Sequence, residues 1–462
     1  MDALAPRPHE PDGGLPAAPI SVRWEVATDA RFARTVAAGE TLALPEHAHS
    51  VHVLPAGLPA AVPLWYRFTA GTHQSPVGRT RTAPEADADV AQLRFALASC
   101  QHYEQGSFAV HREIAARDLD FVLFAGDYIY ESSNVLLRRR LHEAGPPTTL
   151  AGYRARHATY KLDPDLQAAH AAHPWVLTWD DHEVENDYAD ARSPSGWSEA
   201  DFLRRRTAAY KAYFEHMPVA PRLRPDGASM RIHDRFAWGR LADLWTLDGR
   251  QYRSVQACSP AGGAGGRRLT DCPERDDAAR SVFGAEQEQW LHAGLATSQR
   301  PWRLLAQGSQ ISPSGIDGPG GRQYYSDGWE GYPAARERLL RAAATAVGGG
   351  VICLGGDVHR HVAAQLRVRP NDPDSPIVAS ELVATSITSR GATPALMAVV
   401  RASNPDIVHG RGDERGYALV TVGREDAGCE FRGTPHPVID GAVLTTQQRV
   451  VIERARAGVQ LA

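Results

Sequence analysis

Two hydrophobic periodicities divide the chain. From Ile20 to Pro84 apolar and polar positions alternate: Ile20, Val22, Trp24 and Val26 stand between Ser21, Arg23 and Glu25, and Leu64, Tyr66 and Phe68 repeat the pattern. Successive strand side chains point to opposite faces, so a period of two predicts half-buried strands. After Val90 the pattern changes to continuous apolar runs. Leu93 to Ala98 and Phe121 to Ala125 read as buried strands, with a helix over Phe108 to Leu119 carrying Val110, Ile114 and Leu119 between them. Strand, helix, strand implies a right-handed parallel crossover. Further strands are expected at Trp175 to Leu177, Leu244 to Leu247, Trp302 to Leu305 and Val351 to Leu354, with helices at Leu203 to Glu215, Gln287 to Leu295 and Ala334 to Ala346. The division is a flexible arm at 1–19, a β domain at 20–84, a linker at 85–90 and a layered α/β domain at 91–462.

Polar clusters follow four of the apolar runs: Cys100, then Gly126-Asp127-Tyr128-Ile129-Tyr130, then Asp180-Asp181-His182-Glu183, then Gly356-Asp357-Val358-His359. Strand ends of one layered sheet system can converge on one ligand. An Asp after a strand is also a common helix N-cap, and a lone Cys often a small buried hydrophobe. What favours a metal site is the coincidence of four clusters with complementary donors. Thiolate, phenolate, carboxylate and imidazole from Cys100, Tyr130, Asp127 and His359 suit ferric iron. The carboxylates of Asp181 and Asp357 suit calcium or manganese. Asp127 is the natural bridge between the two.

Composition narrows the partners. The 50 basic and 54 acidic residues leave a net charge of -4, which gives no electrostatic footprint for nucleic acid or anionic membrane. The runs Arg138-Arg139-Arg140 and Leu203-Arg204-Arg205-Arg206 read as solvated helix faces. No stretch of about 18 apolar residues predicts a transmembrane helix. Cys258 and Cys272 flank a Gly-rich segment, and in an oxidising compartment a disulfide there would contribute about 3 kcal/mol.

Two resemblances add to this reading. Ala56-Gly57-Leu58-Pro59 ahead of Trp65-Tyr66-Arg67-Phe68 resembles a fibronectin type III module, here lacking its first strand. Ser99-Cys100-Gln101, Gly126-Asp127-Tyr128-Ile129-Tyr130-Glu131, Thr178-Trp179-Asp180-Asp181-His182-Glu183-Val184 with Asn186, and Gly355-Gly356-Asp357-Val358-His359 resemble the PhoD-like alkaline phosphatase and phosphodiesterase family of calcineurin-like metallophosphoesterases. The resemblance runs from about residue 20 to the C-terminus. It implies a sheet sandwich flanked by helices, and hydrolysis of phosphate mono- or diesters by a metal-activated hydroxide, without a covalent enzyme intermediate. Carried over by position, Cys100, Asp127, Tyr130 and His359 would hold Fe3+. Asp127, Asp181 and Asp357 would hold one or two Ca2+, with Asn186 on the second ion or the phosphate; Mn2+ and Zn2+ are alternatives.

His182, next to a ligand, is the candidate acid for the leaving oxygen; its other reading is to orient Asp181. Arg250, after the strand at Leu244, is a candidate phosphate clamp, with a structural ion pair as the other reading. The expected partner is a phosphate-ester substrate. The alternatives are a phospholipase D-like or teichoic-acid-type phosphodiesterase and, from another class, a catalytically silent metal-stabilised binding protein. The family implies secretion or the cell surface. The start Met1-Asp2-Ala3-Leu4 carries no export signal, so a genuine start there would predict a cytoplasmic protein.

Overall fold

The structure is a computed structural model that describes residues 15 and 17–462, apart from 135, 455 and 457. Most of the arm expected at 1–19 therefore lies outside the described residues. The alternating segment forms one five-stranded antiparallel sheet, with Ile20–Ala27 between Thr35–Ala43 and Pro63–Ala70, and His73–Gln74 and Gly78–Arg81 both on the far edge of Pro63–Ala70. Residues 82–92 are irregular.

The rest is built on two seven-stranded sheets. In one, Leu93–Ala98, Phe121–Ala125 and Trp175–Thr178 are parallel neighbours, as the crossover predicts. The strands Glu414–Val422, Asp426–Pro435, Thr445–Glu453 and Val459–Leu461 extend that sheet antiparallel from Leu93–Ala98. In the other, Ala242–Thr246, Trp302–Ala306, Val351–Gly355 and Ile377–Val383 are parallel, with antiparallel strands at both edges.

The pleat explains why these runs are apolar on both faces. Leu93, Phe95, Leu97 and Leu123 meet Leu244, Leu304, Ile352 and Leu354 between the sheets. The intervening Ala96, Ala98, Val122 and Phe124 turn outward to one helical layer, which includes Val110–Ala116, Leu150–Lys161, Pro164–Ala172 and Glu199–His216. Trp245, Leu305 and Cys353 turn to the opposite layer, formed by Gly284–Thr297 and Pro333–Ala344. Burying each such side chain stabilises by about 1.5–3 kcal/mol, so the two inner sheet faces commit the strands to this register.

Several expectations change. The helix read from Phe108 to Leu119 is shorter, Val110–Ala116. The arginine runs are not solvated helix faces. Residues 138–140 are irregular, and the Arg140 guanidinium lies over the Tyr103 and Phe108 rings and pairs with Asp163 at 2.7 Å. Arg205 and Arg206 are buried, Arg205 against Glu185 at 3.0 Å, and only Arg204 of that run faces solvent. The bridge between Cys258 and Cys272 is present, at a Cα–Cα distance of 6.2 Å. Among the described residues no helix is long and apolar enough to cross a membrane.

Candidate metal centre

The four clusters converge because close packing and one buried carboxylate join the strand ends. Glu183 accepts hydrogen bonds from the backbone N–H groups of Asp127 (3.2 Å), Tyr128 (2.7 Å) and Asp180 (3.1 Å), tying the end of Phe121–Ala125 to the end of Trp175–Thr178. Gly126, at φ +96°, lets these segments touch, since a Cβ there would stand 2.5 Å from the Asp180 nitrogen. Across the sandwich, a Cβ on Gly356 would stand 2.5 Å from Ser99 Oγ, so glycine there brings the Asp357 turn against the Cys100 turn. Cys100, Asp127, Asp357 and His359 all adopt the left-handed conformation, with φ of 60°, 58°, 63° and 50°. Each costs about 1–3 kcal/mol, and such strain persists where the surrounding fold over-determines it, commonly at functional sites.

The donor atoms of Cys100, Asp127 and His359 lie within 4.8 Å of one another, and so do those of Asp127, Asp181 and His182. Tyr130 closes the first group: its hydroxyl donates to Asp127 Oδ2 at 2.9 Å and lies 3.1 Å from His359 Nε2. His359 Nδ1 lies 2.9 Å from the Arg390 carbonyl, which can only accept. Nδ1 therefore carries the proton and Nε2 presents a lone pair, the tautomer a metal requires. Asp357 receives the Ser309 hydroxyl at 2.7 Å.

The electrostatics fit a cation. Burial, opposed by His182 and reinforced by Asp181, Asp180 and Glu183, pushes the Asp127 carboxyl well above the carboxylate range. Burial, then Asp180 and Asp181, does the same to Asp357. The Cys100 thiol and Tyr130 phenol are raised by burial and by the Asp127 charge. Protein groups alone thus disfavour the ionised forms, and bound cations invert that balance. Asp127 Oδ1 is buried and takes no hydrogen bond from the described residues, whereas buried polar atoms are usually paired. A carboxylate with one oxygen left free between two donor groups fits a bridging metal ligand.

His182 joins the site with its Nδ1 2.6 Å from Glu131 Oε2 and its ring tilted over Tyr130, centroids 4.0 Å apart. Asn186 is exposed at the rim and is tied to the site by its backbone N–H, which donates to Glu131 at 2.9 Å. Arg250 departs from the phosphate-clamp reading. It is fully buried, hydrogen-bonded through Nε to Asp180 and through Nη1 to Asp327 at 2.9 Å, with Nη2 3.3 Å from Asp181. Its fork is aimed at protein carboxylates rather than at an open face. Asp248 accepts the Arg250 and Gln251 N–H groups at 2.8 and 3.0 Å and so holds the turn that carries Arg250. His361 is buried, its ring held between the Arg432 carbonyl and the Thr385 N–H.

Comparison with known proteins bears directly on this arrangement. The model of the PhoD-like phosphatase family matches residues 95–431, and that of its N-terminal domain matches 3–84. The chain belongs to the PhoD-like phosphatase family. It is 39% identical to alkaline phosphatase D of Bacillus subtilis (strain 168) over 465 residues, covering 99% of this chain and 78% of that protein. A solved structure of PhoD superposes with a TM-score of 0.94 at 39% identity, over 99% of this chain and 88% of the other. As a PhoD-like phosphatase the chain is a metal-dependent hydrolase of phosphoric esters.

Glu131, Glu183, Asp187 and Asp327 also border the candidate site, and sequence pattern assigns them no role. Glu131 and Glu183 lie inside the motifs quoted above, where their sequence signal is only an acid beside a ligand. Asp187 and Asp327, whose donor atoms group with Asp181 within 4.8 Å, come from loops that no periodicity joins.

Proposed function

We propose that Cys100, Asp127, Tyr130 and His359 would hold ferric iron, that Asp127, Asp181 and Asp357 would hold calcium with Asn186 at the rim, and that the chain hydrolyses phosphate mono- and diesters at this site. The observation that carries this is Asp127, which belongs to both donor groups and whose Oδ1 takes no hydrogen bond from the described residues. The ions, when bound, neutralise charge on the phosphoryl oxygens and supply a nucleophile at neutral pH for in-line attack.

The chain's own residues supply position and a proton. The Tyr130 hydroxyl, 3.1 Å from His359 Nε2, holds Asp127 Oδ2 in place, and the Arg390 carbonyl fixes the His359 ring. Arg250 acts here as a positioning residue, holding Asp180 and Asp181 by charge rather than touching substrate. Glu131 on Nδ1 stabilises the His182 imidazolium, leaving the Nε2 proton for the departing ester oxygen.

The leaving group separates this role from one of merely orienting Asp181. Replacing His182 with Gln should keep metal content and slow alkyl phosphate esters by about 10²–10⁴-fold. p-Nitrophenyl phosphate, whose leaving group departs without protonation, should slow far less. Equal losses on both esters would remove His182 from the acid role. Turnover of p-nitrophenyl phosphate against its bis ester, with purified metal-loaded protein, tests the function itself; no turnover of either would overturn it.

A further inference from the structure

Asp187 accepts hydrogen bonds on both its carboxylate and its carbonyl, and their sources are distant in sequence. Its Oδ2 accepts from the Gly266 N–H at 3.0 Å and from the Tyr325 hydroxyl. Its carbonyl accepts from Gln256 Nε2 at 2.8 Å, and that amide's oxygen accepts the Gly265 N–H at 3.0 Å. Its own N–H donates to Asp181 Oδ2 at 2.7 Å. Asp187 is therefore the joint between Asp181 and the loop that carries Gly265 and Gly266.

That loop has little apolar anchorage of its own: residues 259–266 are Ser-Pro-Ala-Gly-Gly-Ala-Gly-Gly. Its base is closed by the bridge between Cys258 and Cys272, which packs with Ala257, Leu269 and Tyr324. Beyond Gly266, Arg268 and Leu269 pair as a strand with Tyr325 and Tyr324. The Tyr325 ring lies on the Gly266 backbone, where a Cβ would stand 2.4 Å from the ring. Three contacts thus depend on one covalent closure: the Gly265 N–H on Gln256, the Gly266 N–H on Asp187, and the Tyr325 hydroxyl on Asp187.

We infer that the Cys258–Cys272 loop is a positioning element for the acidic wall of the metal centre, a brace that sets Asp181 through Asp187 and is released by reduction. The inference rests on the proposed role of Asp181 as a metal ligand. A dithiol reductant supplies two electrons and two protons, giving two cysteine thiols and its own cyclic disulfide. A closed loop holds its glycines in few conformations, and opening it multiplies them, so the Gly265 and Gly266 hydrogen bonds weaken first. The thiolate and phenolate side of the site does not depend on this loop. Cys100, Asp127 and Tyr130 hang on the Leu93–Ala98 and Phe121–Ala125 strands.

Amide hydrogen exchange on the full chain tests the brace without relying on bound metal. In the Cys258→Ala/Cys272→Ala variant, and in wild type treated with the dithiol, the 184–190 segment should exchange at least fivefold faster than in untreated wild type. The 126–131 segment should not change, which shows that the fold survives. Tyr325→Phe, which removes one contact and leaves the bridge, should give a smaller acceleration confined to 184–190. Unchanged exchange at 184–190, or equal acceleration in both segments, would overturn the inference. Elemental analysis of the same samples tests the ligand role separately: faster calcium loss to a chelator in the bridge variant, with iron retained, joins the two. Accelerated exchange at 184–190 with unchanged calcium retention would leave the brace standing and remove Asp181 from the ligands.

Discussion

Asp127→Asn should abolish phosphoesterase activity, by at least about 10³-fold, and strip metal from both halves of the site. The size follows from what the carboxylate joins. Metal stabilisation of the transferring phosphoryl group is worth several kcal/mol, and each 1.36 kcal/mol is tenfold in rate. Asparagine keeps the shape of Asp127, so its backbone would still fit the left-handed turn at φ 58°, and the Tyr130 hydroxyl could still donate to the amide oxygen. What it loses is the negative charge and the second acceptor. Activity and metal content should therefore fall together while the unfolding transition of the apoprotein stays near that of wild type. Loss of activity with full metal content would mean that Asp127 does not bridge.

Arg250→Met should have its largest effect on stability. The guanidinium is fully buried among Asp180, Asp181 and Asp327, with Arg253 as the other cation on Asp327 at 2.8 Å. Removing one partner from a buried ion network leaves uncompensated charge and costs about 3–5 kcal/mol. Urea or thermal unfolding should show that loss, accompanied by weaker metal retention because Asp181 loses a neighbour. A variant with wild-type unfolding and a raised KM would restore the phosphate-clamp reading of Arg250.

The parts of this molecule legible in its sequence share one property: each is specified by neighbours along the chain. The strands at Leu93, Phe121, Trp175, Trp302 and Val351 are runs apolar on both faces, and a strand covered by a helix on one side and a second sheet on the other has no other composition to choose. The candidate ligand clusters are visible in sequence because each follows such a run. Helices at Leu150–Lys161 and Pro164–Ala172 were not expected, and the first shows why. Its buried face includes Arg154, whose partner is Glu215, and Arg156, whose partners are Glu143 and the carbonyls of Tyr130 and Glu131. A polar face satisfied by distant residues leaves no amphipathic trace.

The same reasoning explains the two errors of charge. Arg140 and Arg205 look solvated in sequence because Asp163 and Glu185, which neutralise them, lie elsewhere in the chain. For the same reason Arg250 stays open in sequence to either a phosphate clamp or a structural ion pair. Its three acidic partners sit at separations of about 70 residues or more, and only the sheet sandwich brings them to one point.

In the proposed site a thiolate, a phenolate, an imidazole and a bridging carboxylate would surround ferric iron on one side. Visible absorption of the protein, purified without chelators, tests this most directly, because a phenolate bound to ferric iron absorbs in the visible and calcium or zinc sites do not. The expected result is a coloured protein whose phenolate band is lost in Tyr130→Phe while absorption from the Cys100 thiolate remains. A colourless wild-type protein with full phosphoesterase activity would contradict it.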